Sequence, residues 1–262
     1  MNELVPTVDS VVHLAASVGV QLIVQRPLES LINNIRGTEV VLEACAAHDK
    51  KVLVASTSEI YGKNTAGPLN EDADRILGSS FKARWSYSAA KGVDEILAHT
   101  YWKERETPSI VVRLFNTVGP RQTGAYGMVV PRFIQQALPD RDITIYGDGG
   151  QTRCFCHVLD VVQALVALLD HPGAVGDVFN VGSQEEVSID QLADVVLRLT
   201  GSTSKKTYVS YDEAYEEGFE DMQRRVPDIT KVKELTGWVP THSLEDIVRD
   251  VIEFERGRLG DR

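Results

Sequence analysis

The chain has 262 residues, enough for one large domain or two small ones, and its 43% hydrophobic and 25% charged composition is that of a globular protein. A net charge of −11 argues against a nucleic-acid backbone or an anionic membrane as partner. Three cysteines build no disulfide framework, and no apolar run reaches the roughly 20 residues that span a bilayer.

The run Val11 to Ala16 reads as a buried parallel strand. Pro27 to Ala47 follows with helical spacing at Leu31, Ile35, Val41, Leu42 and Ala46, and proline suits a first helical turn. Lys51 to Ser56 is a second apolar strand. A polar loop runs from Gly62 to about Ser80. Tyr87 to Arg105 is predicted helical through Val93, Ile96, Leu97 and Tyr101, and Ser109 to Phe115 is a third strand. Strand and helix alternating over this length predict right-handed crossovers and a parallel sheet. Ligands of such sheets lie beyond the carboxyl ends of the strands, which places chemistry in residues 15–19, 56–62 and 116–121.

The second half is more mixed. Val129 to Leu138 reads as helix, Ile143 to Tyr146 as extended and Gly147 to Gly150 as a turn. Arg153 to His157 is extended and Val158 to Leu169 is an apolar helix. Val178 to Val181 is a strand. Ser188 caps a helix over Ile189 to Leu199, and Leu244 to Phe254 forms a last helix. Cys154 and Cys156 share one strand face. No further ligands stand near them at metal-site spacing, so buried structural thiols and no metal are expected, as for Cys45. The N-terminus shows no basic and apolar leader, and the expected location is the cytoplasm.

Tyr87 and Lys91 are four apart and share a helix face. A tyrosine acting as a base must lose a proton whose ordinary pKa is about 10, and a nearby ammonium favours the phenolate. Such a pair alone also fits any amphipathic helix. Ser56-Thr57-Ser58-Glu59-Ile60-Tyr61-Gly62 adds hydroxyls and a carboxylate at a strand's carboxyl end, although hydroxyls there also serve as turn caps.

The ordered set of His13 to Ala16, Asn34 with Gly37-Thr38, Ser56 to Gly62, Tyr87 with Lys91, Arg113 to Asn116 with Gly119 to Arg121, and Arg153 to Asp160 resembles the extended short-chain dehydrogenase/reductases that act on nucleotide sugars. The resemblance covers nearly the whole chain. It implies a Rossmann-like α/β fold and NAD chemistry at C4 of a UDP-sugar. Residues 1–120 are expected to form a partial NAD-binding domain to which 154–182 return. Residues 121–153 and 183–262 are expected to form a smaller mixed α/β substrate lobe. Thr57, Ser58, Glu59, Tyr87 and Lys91 are implied as catalytic. Leu14, Ala15, Ala16, Asn34 and Phe115 are implied at the cofactor with Tyr87 and Lys91. Asn116, Arg121, Arg153 and Arg225, again with Thr57, are implied at the substrate. A homodimer is implied as well.

Serine at position 58, where the 4,6-dehydratases of this group carry an aspartic acid, disfavours dehydration, because a hydroxyl is a poor general acid. Thr57-Ser58-Glu59, Arg84-Trp85-Ser86-Tyr87-Ser88 and the stretch from Glu220 to Asp228 look like the UDP-glucuronate decarboxylases. The 4-epimerases remain an alternative. The group's Gly-x-x-Gly-x-x-Gly loop is absent, and the chain starts at what should be about the fourth strand. The first βαβ unit, roughly 60 residues, is therefore expected to be lacking, and NAD binding by the chain as given is expected to be weak. An inactive sugar-nucleotide-binding remnant and a redox-sensing regulator are the expectations from other classes.

Overall fold

The computed structural model describes residues 1–19, 26–124, 128–214 and 222–260. Four strands form one parallel sheet in the order β1 (Ser10–His13), β2 (Lys51–Thr57), β3 (Ser109–Leu114), β7 (Val178–Val181). The pairings His13 with Val54, Thr57 with Leu114, and Leu114 with Val181 bring the carboxyl ends of neighbouring strands to one edge. β1 stops at His13, so Leu14 to Ala16, expected in the strand, form its exit loop. Among the described residues β1 pairs on one side only.

Side chains of a strand alternate between faces, and both faces of β2 are apolar. Val52 and Val54 pack with Val41, Leu42 and Cys45 of α1 (Pro27–Ala47) and Ala98 of α2 (Ser86–Arg105). Leu53 points the other way, joining Ile110 and Val112 of β3 with Leu165 and Leu168 of α4 (Val158–Asp170). Each fully buried leucine or valine here stabilises the fold by about 1.5–3 kcal/mol. Helices therefore cover both faces of the sheet, as the strand–helix alternation predicts.

A second cluster lies over two small sheets. One has the order β4 (Asn116–Val118), β6 (Thr152–His157), β8 (Glu186–Ser188); the other pairs β5 (Ile143–Tyr146) with β9 (Lys206–Val209). Phe133 and Ile134 of α3 (Val129–Ala137), Leu192 of α5 (Ile189–Thr200) and Ile247 of α8 (Leu244–Gly260) fill it. The expected cap at Ser188 is a full capping box. The Ser188 hydroxyl accepts from Gln191 N, and the Gln191 side chain accepts from Ser188 N, both at 3.0 Å. Residues 116–118, 186–188 and 206–209 are strands that the sequence reading missed. Three or four residues carry no readable alternation, and partners distant in sequence hold them. The short helices α6 (Tyr211–Ala214) and α7 (Thr230–Thr236) were missed for the same want of length. Cys45, Cys154 and Cys156 are buried and free, with burial raising Cys154 and Cys156 to about 12, and no metal-holding cluster exists among the described residues.

Candidate active site

The carboxyl ends of β1, β2 and β3 open into a cleft of about 400 Å³ whose opposite wall comes from β4, β6, the start of α3 and Arg225. Thr57 ends β2 and caps the 3-10 turn Ser58–Tyr61, its hydroxyl accepting from Glu59 N at 3.2 Å. That turn aims Glu59 back into the cleft. α2 starts just beyond, so its first two turns place Tyr87 and Lys91 on the same wall. The Thr57 side chain stands beside the Tyr87 phenol and favours its ionised form.

Lys91 does not act on Tyr87 as expected. Its ammonium is paired at 3.0 Å with Asp94, one turn along α2, and both side chains are buried. The Tyr87 pKa is raised rather than lowered. Burial is the main cause, the negative charges of Glu59 and Asp94 add to it, and the neighbouring Thr57 side chain opposes it. His13, at the end of β1, hydrogen-bonds Thr38 at 3.2 Å; burial and the charge of Lys91 hold its imidazole in the neutral form.

Glu59 sits among guanidiniums. Arg84 grips both of its oxygens, at 2.6 and 3.1 Å, and Arg225 approaches to 3.5 Å. Burial opposes the charge of Glu59. The fields of Arg84 and Arg225, with Arg153 behind them, outweigh that and hold the carboxyl at about 2. Near neutral pH Glu59 is an ionised acceptor that fixes arginines, and no proton donor. Asn116 accepts from Arg225 at 3.0 Å and donates to the Cys154 carbonyl at 3.1 Å, tying the Arg225 segment to β4 and β6.

A buried polar hub supports this wall from behind. Arg113 of β3 donates to both oxygens of Glu95 at 2.9 and 2.8 Å, to the Tyr61 hydroxyl at 2.9 Å and to the Glu71 carbonyl at 2.7 Å. Ser56, next to Thr57, donates to the same Glu95. Tyr61 donates to Asn180 of β7 at 2.7 Å, and Asn180 donates to the Asp228 carbonyl at 3.2 Å. One network thus joins β2, α2, β3, β7 and the chain leading from Arg225. The loop from Gly62 folds back on this hub: Gly62 has φ +59°, and a Cβ there would lie 2.3 Å from the Ile76 carbonyl oxygen.

Thr57, Ser58, Glu59, Tyr87, Lys91, Leu14, Ala16, Phe115, Asn116, Arg153 and Arg225 all line the cleft. Three expected residues do not. Ala15 is outside the lining. Asn34 is buried in α1, where its side chain accepts from Ser17 N at 2.7 Å and so shapes the exit loop of β1. Arg121 is exposed in a turn with φ 71°. Glu220 and Asp221 lie outside the described residues. Arg84 and Asp94 were not assigned roles from sequence, though Asp94 stands three residues from Lys91 on one face of α2 and Arg84 lies in the 3-10 turn Ala83–Trp85 just before that helix. The cleft fits the nicotinamide half of NAD: Tyr87 and Lys91 offer polar groups to a ribose, and Leu14, Ala16, Val18 and Leu114 offer an apolar wall to a flat ring.

A family model described as GDP-mannose 4,6 dehydratase matches residues 2–251, and the chain belongs to this family of nucleotide-sugar epimerases and dehydratases. Among curated relatives it is 42% identical to a UDP-N-acetyl-alpha-D-glucosaminuronate decarboxylase of Bacillus cytotoxicus, over 98% of this chain and 79% of the relative. It is 36% identical to UDP-glucuronic acid decarboxylase 1 of Xenopus tropicalis, over 96% of this chain, and spans 58% of that protein's length. Among solved structures, UDP-glucuronic acid 4-epimerase from Bacillus cereus, in complex with UDP-glucuronic acid and NAD, superposes with a TM-score of 0.87 at 30% identity, covering 98% of this chain and 78% of the epimerase.

Proposed function

We propose that this chain carries the catalytic wall of an NAD-dependent enzyme that oxidises a UDP-uronate at C4 and releases its carboxyl group as carbon dioxide. The observation that carries this reading is the cleft in which Thr57, Tyr87 and Lys91 stand beside three arginines gathered around Glu59. The relatives named for decarboxylation of UDP-uronates support the same reading.

NAD supplies the hydride acceptor and, in its oxidised form, a positively charged ring. The chain's own residues handle the proton. The Tyr87 phenolate accepts the proton of the sugar 4-hydroxyl, which Thr57 holds by a second hydrogen bond. Positioned general-base catalysis of this kind contributes about 10²–10⁴-fold. The raised Tyr87 pKa makes the phenolate depend on added positive charge, so the base is formed when the site is filled. A 4-ketone is β to the uronate carboxylate. Cleavage of the C5–C6 bond then leaves its electron pair as an enolate at C4, and a proton returns to C5. Arg225 and Arg153 face the anionic groups of the ligand, where a planar guanidinium matches carboxylate or phosphate. Ser58 offers no carboxylic acid for dehydration.

Incubation with NAD and UDP-glucuronate, followed by proton NMR and carbon dioxide measurement, tests the reading. The expected product is a UDP-pentose, which forms once the hydride taken from C4 is given back to C4 and Tyr87 returns its proton to the C4 oxygen. UDP-galacturonate without carbon dioxide moves the assignment to 4-epimerase, a second reading favoured by the superposition on the Bacillus cereus epimerase. Exposed Ile32 and Val40 of α1 and Ile96 of α2 support a homodimer through these helices. The buried free thiols fit a reducing, cytoplasmic location.

A further inference from the structure

Lys91 lines the cleft, yet its ammonium is engaged behind it. An ammonium has three N–H donors, and Lys91 gives one to Asp94 Oδ2 at 3.0 Å; among the described residues this is the one hydrogen bond that Lys91 makes. Asp94 stands one turn further along α2, and Tyr87 stands one turn back, so the pairing draws the charge away from the phenol. Asp94 is fully buried and outside the cleft lining, and its Oδ1 has no hydrogen-bond partner among the described residues. A buried acceptor left unpaired weakens a fold, so packing alone does not account for a carboxylate at this position. Around the pair, β1 presents His13, which burial and the Lys91 charge keep neutral, and α1 presents the uncharged Thr38 to His13. The turn after β2 presents Glu59 to Tyr87, and Arg84 from the turn before α2 balances Glu59.

We propose that Asp94 holds the Lys91 ammonium off Tyr87 while the cleft is empty, so that Tyr87 becomes a base only in the loaded site. Asp94 is a positioning residue in this scheme, because it acts through Lys91. The inference rests on Tyr87 being the base of the reading above. Without the Asp94 charge, the anion that Lys91 can gain along its own helix face is the Tyr87 phenolate. That phenolate then has a cation beside it and one negative neighbour fewer, and both changes favour its formation.

Carbon-13 NMR of the chain carrying Cζ-labelled tyrosine tests this without cofactor or turnover. It follows each phenol separately through a pH titration, and Tyr87→Phe identifies the Tyr87 signal. In the wild type Tyr87 is expected to remain a phenol at about pH 10, where an ordinary tyrosine is half ionised. In Asp94→Asn its midpoint falls by about two pH units or more, roughly a hundredfold gain in phenolate at a given pH. Adding Lys91→Met to Asp94→Asn abolishes that fall, because no ammonium is left to pair. A wild-type Tyr87 that ionises like an ordinary tyrosine overturns the proposal, as does a phenol that Asp94→Asn leaves unchanged. A fall that persists in the double variant shows Asp94 acting by its own charge and overturns its action through Lys91. If Asp94→Asn does not fold, the double variant, which buries no charge at either position, still decides: Tyr87 remaining a phenol at about pH 10 supports the proposal, and a phenolate there overturns it. None of these outcomes touches the reading of Tyr87 as the base, which turnover by Tyr87→Phe decides separately.

Discussion

Glu59 makes an acid-dependent contribution to stability that one variant isolates. Its carboxyl is held at about 2 against an ordinary 4.5, because Arg84 and Arg225 favour the charged form more than burial opposes it. The folded pKa is depressed, so the unfolded chain binds the proton more readily. The stabilisation is complete above about pH 4.5 and is lost as pH falls towards 2. The gap of about 2.5 pH units corresponds to roughly 3 kcal/mol, of which about 2 kcal/mol is lost by pH 3. Glu59→Gln removes the titration and leaves Arg84 and Arg225 buried beside a neutral amide. At pH 7 this variant is expected to be less stable by about 3–5 kcal/mol, the cost of breaking a buried ion pair from one side. Urea denaturation of both proteins at pH 7, 5, 4 and 3 measures the effect. The two stabilities should converge below pH 4.5, the wild type losing about 2 kcal/mol more than the variant by pH 3. Parallel curves over this range would refute the claim that the arginines hold Glu59 ionised.

Other outcomes follow from the same geometry. Tyr87→Phe should lower turnover of UDP-glucuronate by about 10²–10⁴-fold, with UDP-sugar affinity within a few-fold of wild type by calorimetry. Asp94→Asn leaves Lys91 buried without its counter-ion, and should cost about 3–5 kcal/mol in denaturant unfolding. Phe133→Ala, in the fully buried core cluster over the two small sheets, should cost about 3–5 kcal/mol without changing the relative affinities for UDP-glucuronate and UDP-glucose. Cys154 and Cys156 should react with a thiol reagent only on unfolding, because burial pushes both up to about 12 and leaves almost no thiolate at pH 8.

Where hydrophobic periodicity ran long enough, it determined the elements. Pro27–Ala47 was legible as a helix from its apolar spacing and its opening proline, and 109–114 as a strand from its β-branched stretch Ile110-Val111-Val112, because both signals are local. Sheet geometry put 56–62 at a carboxyl edge, while the placing of Thr57 beside Tyr87 came only as what the family resemblance implies. Tertiary structure decided the charges. That Lys91 belongs to Asp94, and that burial raises Tyr87 rather than a cation lowering it, depends on packing and on distances that residue spacing does not contain. Arg84, Glu59 and Arg225 stand in three separate parts of the chain, and only the fold brings them within bonding reach of one another. The sequence named the ionisable groups; which of them hold a proton, and which face a ligand, was set by their partners in space.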